Sequence, residues 1–197
     1  MARTGRPREF NREAAVKRAM NLFWQKGFES TSLAELRKTL GNLSAASFYS
    51  AFGSKRELYK ECLELYTHTC GETLSLLTDT SVPAKVAIKN MLVKTITLQT
   101  STQTPTGCMA VLSGLNCCDD NKEVEQLALS VRNDIRQALK ECIERGIQQS
   151  EWHLDSNDVE CFVVMIDTFV NGISIQSRDG VERDALFRAC DLFLERL

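Results

Sequence analysis

A chain of 197 residues, 43% hydrophobic and 25% charged, has the composition of a globular protein and enough length for a buried core in one or two domains. Its longest unbroken apolar run, Cys161 to Ile166, is far below the ~20 residues that span a bilayer, and no apolar stretch follows the charges of Met1–Arg8, so neither a membrane span nor a secretory signal is expected and the expected location is cytoplasmic. The net charge of −2 hides a division: residues 1–60 carry 12 Lys+Arg against 5 Asp+Glu, and residues 61–197 carry 12 against 21. A basic segment joined to an acidic remainder points to a polyanion partner for the first part only.

In chain order, nearly every segment reads as helix. Asn11 caps a helix with Ala15, Val16, Ala19, Met20 and Phe23 on one face, ending at Gly27. Ser32 with Glu35 has capping-box spacing and opens a second helix carrying Leu33, Leu36 and Leu40. Gly41-Asn42, both tolerant of positive φ, end it in a tight turn. Ser44 caps a short third helix with Phe48 and Phe52 on one face, which leaves Ser44, Ala46, Ser47 and Ser50 largely on the other. Ser54 and Glu57 start a fourth helix carrying Leu58, Cys62, Leu65 and Tyr66, reaching towards Leu77.

Longer helices follow from Pro83 to Ile96, from Glu123 to Ile147, from Val159 to Ile173 and across Leu186–Leu194, with a short apolar one in "CMAVLSGLNC". No alternating strand pattern of useful length occurs. The expected class is all-α, with an N-terminal helix-turn-helix domain at 1–53 and a helical regulatory and dimerisation domain at 54–197.

Three short helices with a Gly-Asn turn before the third match a helix-turn-helix, whose second helix enters the major groove of DNA. A groove about 12 Å wide admits a helix only if its outer face is slim. The small residues Ser44, Ala45, Ala46, Ser47 and Ser50 meet that demand, and serine hydroxyls or alanine methyls can touch base edges. Lys55 at the start of the fourth helix, Tyr49, and Thr31 or Ser32 are candidate phosphate contacts. Arg3, Arg6 and Arg8 form a basic arm of the kind that enters the minor groove.

The pieces "GRPREF", "LFWQKGFESTSLAEL" and "SFYSAFGSKRELY" resemble the DNA-binding domain of the tetracycline-repressor (TetR) family of bacterial transcription regulators across residues 5–66. One residue more than usual separates Gly41 from Tyr49, with Asn42 placed to take the turn role and lengthen the second helix. The resemblance implies a homodimer built on the last two helices, with Phe162, Ile166, Phe169, Val170, Ile173, Leu186 and Phe193 at the interface and Gly172 permitting close approach. It also implies a near-palindromic double-stranded operator, a small-molecule inducer bound by helices from 82 to 150, no cofactor and no enzymatic activity.

Eight cysteines and two histidines without a C-x-x-C pair argue against a zinc site, and no metal is expected at His68, Cys70 or His153. Cys108, Cys117 and Cys118 fall in the expected pocket region, and a Gly-Cys there resembles thiol-sensing family members. Cys62, Cys142, Cys161 and Cys190 read as core residues, and Arg132, Asp134 and Arg136 as a solvated face. The competing readings are a thiol-dependent enzyme using Cys108 and a nucleoid-type protein without sequence preference. Turnover lost in Cys108→Ser would favour the first; binding indifferent to sequence would favour the second.

Overall fold

The computed structural model describes residues 11–70, 72–155 and 158–196, with backbone alone at Cys70 and Glu72. The described helices are α1 (Arg12–Lys26), α2 (Leu33–Thr39), α3 (Ala45–Phe52), α4 (Lys55–Cys70), α5 (Glu72–Thr78), α6 (Ala84–Gln99), α7 (Met109–Leu112), α8 (Lys122–Gln148), α9 (Val159–Arg178) and α10 (Arg183–Leu194), with a 3₁₀ turn at Asp119–Asn121. No strand occurs among the described residues, and the fold is all-α.

Helix starts follow the sequence signals. The Asn11 side chain accepts the Ala14 N–H at 2.9 Å, Ser32 Oγ the Glu35 N–H at 3.1 Å, and Ser54 Oγ the Glu57 N–H at 3.0 Å, each satisfying a donor that the helix itself leaves open. The stretch expected to be helical from Ser54 towards Leu77 is helical over its described residues, as α4 (Lys55–Cys70) and α5 (Glu72–Thr78). The turn before α3 also differs from expectation. Helix α2 stops at Thr39, and Gly41 (φ 101°) and Asn42 (φ 61°) both take positive φ. The additional residue therefore enters the turn rather than lengthening α2. Arg37 holds the turn: its Nε donates to the Leu43 carbonyl at 2.8 Å and its own carbonyl accepts the Leu43 N–H at 3.1 Å.

Two apolar clusters hold the chain. The first joins α1, α2, α3, α4 and α7 around Phe23, Trp24, Leu36, Phe48, Leu58 and Tyr59, all at most 2% exposed. Each such side chain contributes roughly 1.5–3 kcal/mol of burial. The second gathers Ile88, Leu92 and Ile96 of α6, Leu139 and Ile143 of α8, Ile166 of α9 and Cys190 of α10. Helix α9 is long and apolar enough by composition to cross a membrane, yet its Val163, Ile166, Val170 and Ile173 pack into this second core.

Four of the positions expected at a dimer interface lie in the chain's own core. Ile166, Val170, Ile173 and Leu186 are at most 7% exposed within one protomer, because they point inward between α6 and α8. The outward apolar face belongs to Val164, Met165 and Ile175 of α9 and Leu192 of α10, each 40–57% exposed. Half-buried Phe169 and Phe193 stack between the two faces at 4.3 Å, and half-buried Phe162 packs edge-on against Trp152. Cys161, expected in the core, is exposed.

Candidate nucleic-acid interface and adjoining cavity

Phe48 and Phe52 anchor α3 to the first core, and that anchoring turns its other face out. Ser44, Ala45, Ala46, Ser47, Tyr49 and Ser50 are all exposed. The Ser44 hydroxyl is engaged as N-cap, accepting the Ser47 N–H at 3.0 Å and sharing a hydrogen bond with the Ser47 hydroxyl at 2.8 Å. Ser50 stands further along the same outer face. The result is a helix end with no long side chain except Tyr49.

The flanking positions behave unequally. Ser32 is exposed beside α2, but Thr31 is fully buried and its hydroxyl donates to the Gly27 carbonyl at 2.7 Å. That bond closes the turn between α1 and α2, so Thr31 is not placed to meet a phosphate. Lys55 is half-buried, its Nζ 4.1 Å from the centre of the Phe28 ring, and burial lowers its pKa although Glu29 opposes the shift. Its ammonium is thus held against an aromatic face by a cation–π contact at the first turn of α4. Arg56 beside it pairs with Glu123 and donates to the Asp120 carbonyl. Arg3, Arg6 and Arg8 lie outside the described residues.

Behind this face, a cavity of about 130 Å³ opens among α4, α5, α6, α7, α8 and α9, close to the ~150 Å³ void that accepts benzene in an engineered core. Its walls are mainly apolar, from Leu74, Met91, Leu98, Val111, Val131, Ile135 and Val170. Arg132, Asp134 and Asp167 also line it, and Arg136 reaches its edge by donating to Asp167 at 3.2 Å. Of the expected solvated face, Arg132 and Arg136 are therefore half-buried at this wall, while Asp134 is exposed. Arg132 donates to the Ala110 carbonyl, and burial lowers its pKa. Gln99 is 6% exposed, and its buried Oε1 meets no donor.

Cys108 lines the same cavity, 8% exposed, and its sulfur accepts the Tyr66 hydroxyl proton at 3.1 Å. Burial pushes its thiol pKa up, against the opposing pull of Tyr66 and Arg132. Cys117 is half-buried, with a pKa raised to about 11 by burial and then by Glu29 and Glu125, and Cys118 is exposed. These two sit near Glu29 rather than in the cavity, since the Cys118 N–H donates to Glu29 at 2.8 Å. Among the described residues no cluster of three metal-ligating side chains forms.

The segment carrying Cys108 touches the first core directly. The Gly107 carbonyl accepts the Trp24 indole N–H at 3.1 Å, the Ser113 carbonyl accepts the Phe28 N–H at 2.9 Å, and the Ser113 and Tyr59 hydroxyls bond at 2.7 Å. Residues 107–113 thus join the cavity wall to α1, the turn after it and α4. The sequence patterns missed Gln99, Arg132 and Asp167 as cavity groups. The usable signal was a charged residue set inside an apolar stripe, as Asp167 is between Val163 and Val170.

The comparisons fall on the same features. A profile described as bacterial regulatory proteins, tetR family, matches residues 15–62, which span α1 to α4. The HTH-type transcriptional repressor ComR of Escherichia coli K12 is 28% identical over 194 residues, covering 93% of this chain and 87% of its own. BdcR of the same organism, also an HTH-type transcriptional repressor, is 28% identical over 176 residues, covering 89% and 83%. Among solved structures, a cysteine mutant of the TetR family regulator CifR, complexed with a 26-bp operator duplex, has a TM-score of 0.88 and 31% identity over 96% of this chain and 98% of that one. The match covers nearly the whole chain, so the chain belongs to the tetracycline-repressor family and is a sequence-specific DNA-binding transcriptional regulator.

Proposed function

We propose that the chain is a homodimeric repressor that binds a near-palindromic operator through α3 and is released by a small molecule entering the cavity. Residues 1–53 form the reading unit and 54–197 the regulatory unit, with α4 packed into both. The reading face is Ser44 to Ser50 with Tyr49; Ser32, Lys55 and the arm arginines Arg3, Arg6 and Arg8 supply phosphate contacts. The named repressors ComR and BdcR favour repression over activation.

The dimer face is the outward surface of α9 and α10, where Val164, Met165, Ile175 and Leu192 stand exposed. Apolar side chains gathered on one face of two adjacent helices mark an interaction surface. A Cβ at Gly172 would meet nothing within 4 Å, which leaves room for close approach of a partner helix. A two-fold axis there presents two reading helices about 34–36 Å apart, or a multiple of it.

The single observation that carries the inducer reading is the orphaned acceptor of Gln99 beside a cavity whose walls are mainly apolar. A buried acceptor without a donor costs about 1–3 kcal/mol. A ligand with an apolar body near benzene in size and an O–H or N–H group recovers that cost. It also presses on Cys108 to Val111, the start of the segment bonded to Trp24, Phe28 and Tyr59. Release requires that the ligand bind the operator-incompetent conformation better than the competent one.

A thiol-reactive inducer is the second reading, favoured by Cys108 lying in the same wall with Tyr66 donating to its sulfur. The test uses a Cys117→Ser/Cys118→Ser background treated with N-ethylmaleimide, with operator binding followed by fluorescence anisotropy. Adduct at Cys108 fills the cavity and should release the operator, while the further Cys108→Ser variant stays bound. Full Cys108 labelling without release contradicts the coupling of this wall to α1.

A further inference from the structure

Arg178 ends α9. Its Nη1 donates to the Gln25 carbonyl at 2.9 Å, its Nη2 to the Trp24 carbonyl at 3.0 Å and the Thr106 carbonyl at 2.9 Å, and its Nε to Thr106 at 3.2 Å. Trp24 and Gln25 belong to the last turn of α1, whose final carbonyls have no partner within the helix. The guanidinium therefore caps α1 at the negative end of its dipole. A planar fork with several fixed donors is pre-organised to span carbonyls on two segments at once, and a lysine ammonium on its flexible stem holds them less rigidly.

A second set of contacts fixes the same point. The Trp24 indole donates to the Gly107 carbonyl. Gly107 has φ 77°, and a Cβ there would lie 2.7 Å from the Ser174 carbonyl oxygen, so the 106–107 turn is wedged against α9 itself. The end of α1, this turn and the end of α9 are thereby locked together. Helix α1 shares its core with α3, and Ile175, on the outer apolar face of α9, lies three residues from Arg178.

We infer that Arg178 determines operator specificity without touching DNA: by locking α1 to the dimer helix α9, it fixes the separation of the two reading helices and hence the half-site spacing the protein accepts. This rests on the homodimer proposed above. One added base pair moves a half-site by about 3.4 Å and turns it about the duplex axis. A rigid junction converts that misfit into lost contacts, whereas a loosened one absorbs it.

The experiment takes the inverted repeat enriched from a random duplex pool and prepares it with its spacer native, one base pair shorter and one longer. Wild type, Arg178→Ala and Arg178→Lys are titrated by fluorescence anisotropy, with sedimentation equilibrium on each protein. Wild type should lose about tenfold or more in affinity at either altered spacing, the cost of forcing duplex or protein into register. Arg178→Ala should lose about threefold or less, with an unchanged salt slope on the native duplex, and Arg178→Lys should fall between.

A variant that keeps the wild-type spacing profile overturns the inference, as does one weakened by the same factor on all three duplexes, which marks a packing role. If Arg178→Ala fails to fold by circular dichroism, Arg178→Lys is judged by the same two criteria. A wild-type protein that is monomeric, or that binds one half-site as well as the repeat, removes the dimer reading and the inference with it. A dimeric wild type with unaltered variants removes the inference alone.

Discussion

At the residue scale, the cysteines separate cleanly by environment. Alkylation requires the thiolate, so exposure and pKa set the order of reaction. Exposed Cys118 should react with iodoacetamide first at neutral pH, Cys117 later because its pKa is raised to about 11, and Cys108 last because it is buried with its pKa pushed up. Peptide mass spectrometry over time reads this directly, and early labelling of Cys108 would contradict the enclosed wall. The serines of α3 also divide. Ser44→Ala removes a cap and should cost about 1 kcal/mol of stability in urea unfolding, whereas Ser50→Ala should leave stability alone and change the ranking of operator sequences.

The type of these residues was legible in the chain, because small side chains between two phenylalanines stand out. Their hydrogen-bonding state was not. Thr31 and Ser32 are neighbours of similar chemistry, yet one closes a buried turn on Gly27 and the other caps α2 in the open. Only the path of the backbone between α1 and α2 distinguishes them. Gln99 was equally opaque, since an orphaned acceptor is a property of what surrounds it and not of its own sequence context.

At the element scale, caps and turns were well signalled because they act over three or four residues. Asn42 shows how far that local chemistry reaches. With φ 61°, it should tolerate Asn42→Gly, while Asn42→Ala should cost about 1 kcal/mol in urea midpoint analysis. Equal stability of the two variants would mean that the turn before α3 relaxes. The apolar stripe of α9 illustrates the opposite limit. Hydrophobic period places Ile166, Phe169, Val170 and Ile173 on one broad face, but it does not say which edge meets α6 and α8 and which stays outside. Inner and outer faces of this helix are both apolar, so the pattern that located the helix could not assign its interface.

At the scale of the whole molecule, the buried thiols and the Tyr59 hydroxyl shift together with alkaline pH. Burial raises the pKa of Cys62, Cys108, Cys142 and Cys190, and lifts Tyr59 to about 12. Their folded pKa values lie above the unfolded ones, so the native state holds more protons than the unfolded state once pH passes the ordinary thiol value of about 8.5. Stability is then full below that value and falls as pH rises beyond it. Urea midpoints in reducing buffer should decline steadily from about pH 8.5 upward, and a midpoint flat to pH 11 would mean these groups are solvated in the folded protein.

The division of charge along the chain shows its purpose at this same scale. The basic first third carries α3 and its flanks, and the acidic remainder carries the cavity and the outer face of α9 and α10. The central claim is that α3 reads a defined sequence twice. The measurement that tests it most directly is selection from a random duplex pool with the full-length protein, in reducing buffer at near-physiological salt. Enrichment of an inverted repeat, bound with a steep salt slope and by two chains per duplex, is the predicted result. Binding that fades with salt but enriches no motif would contradict it, leaving phosphate attraction as the whole of the interaction.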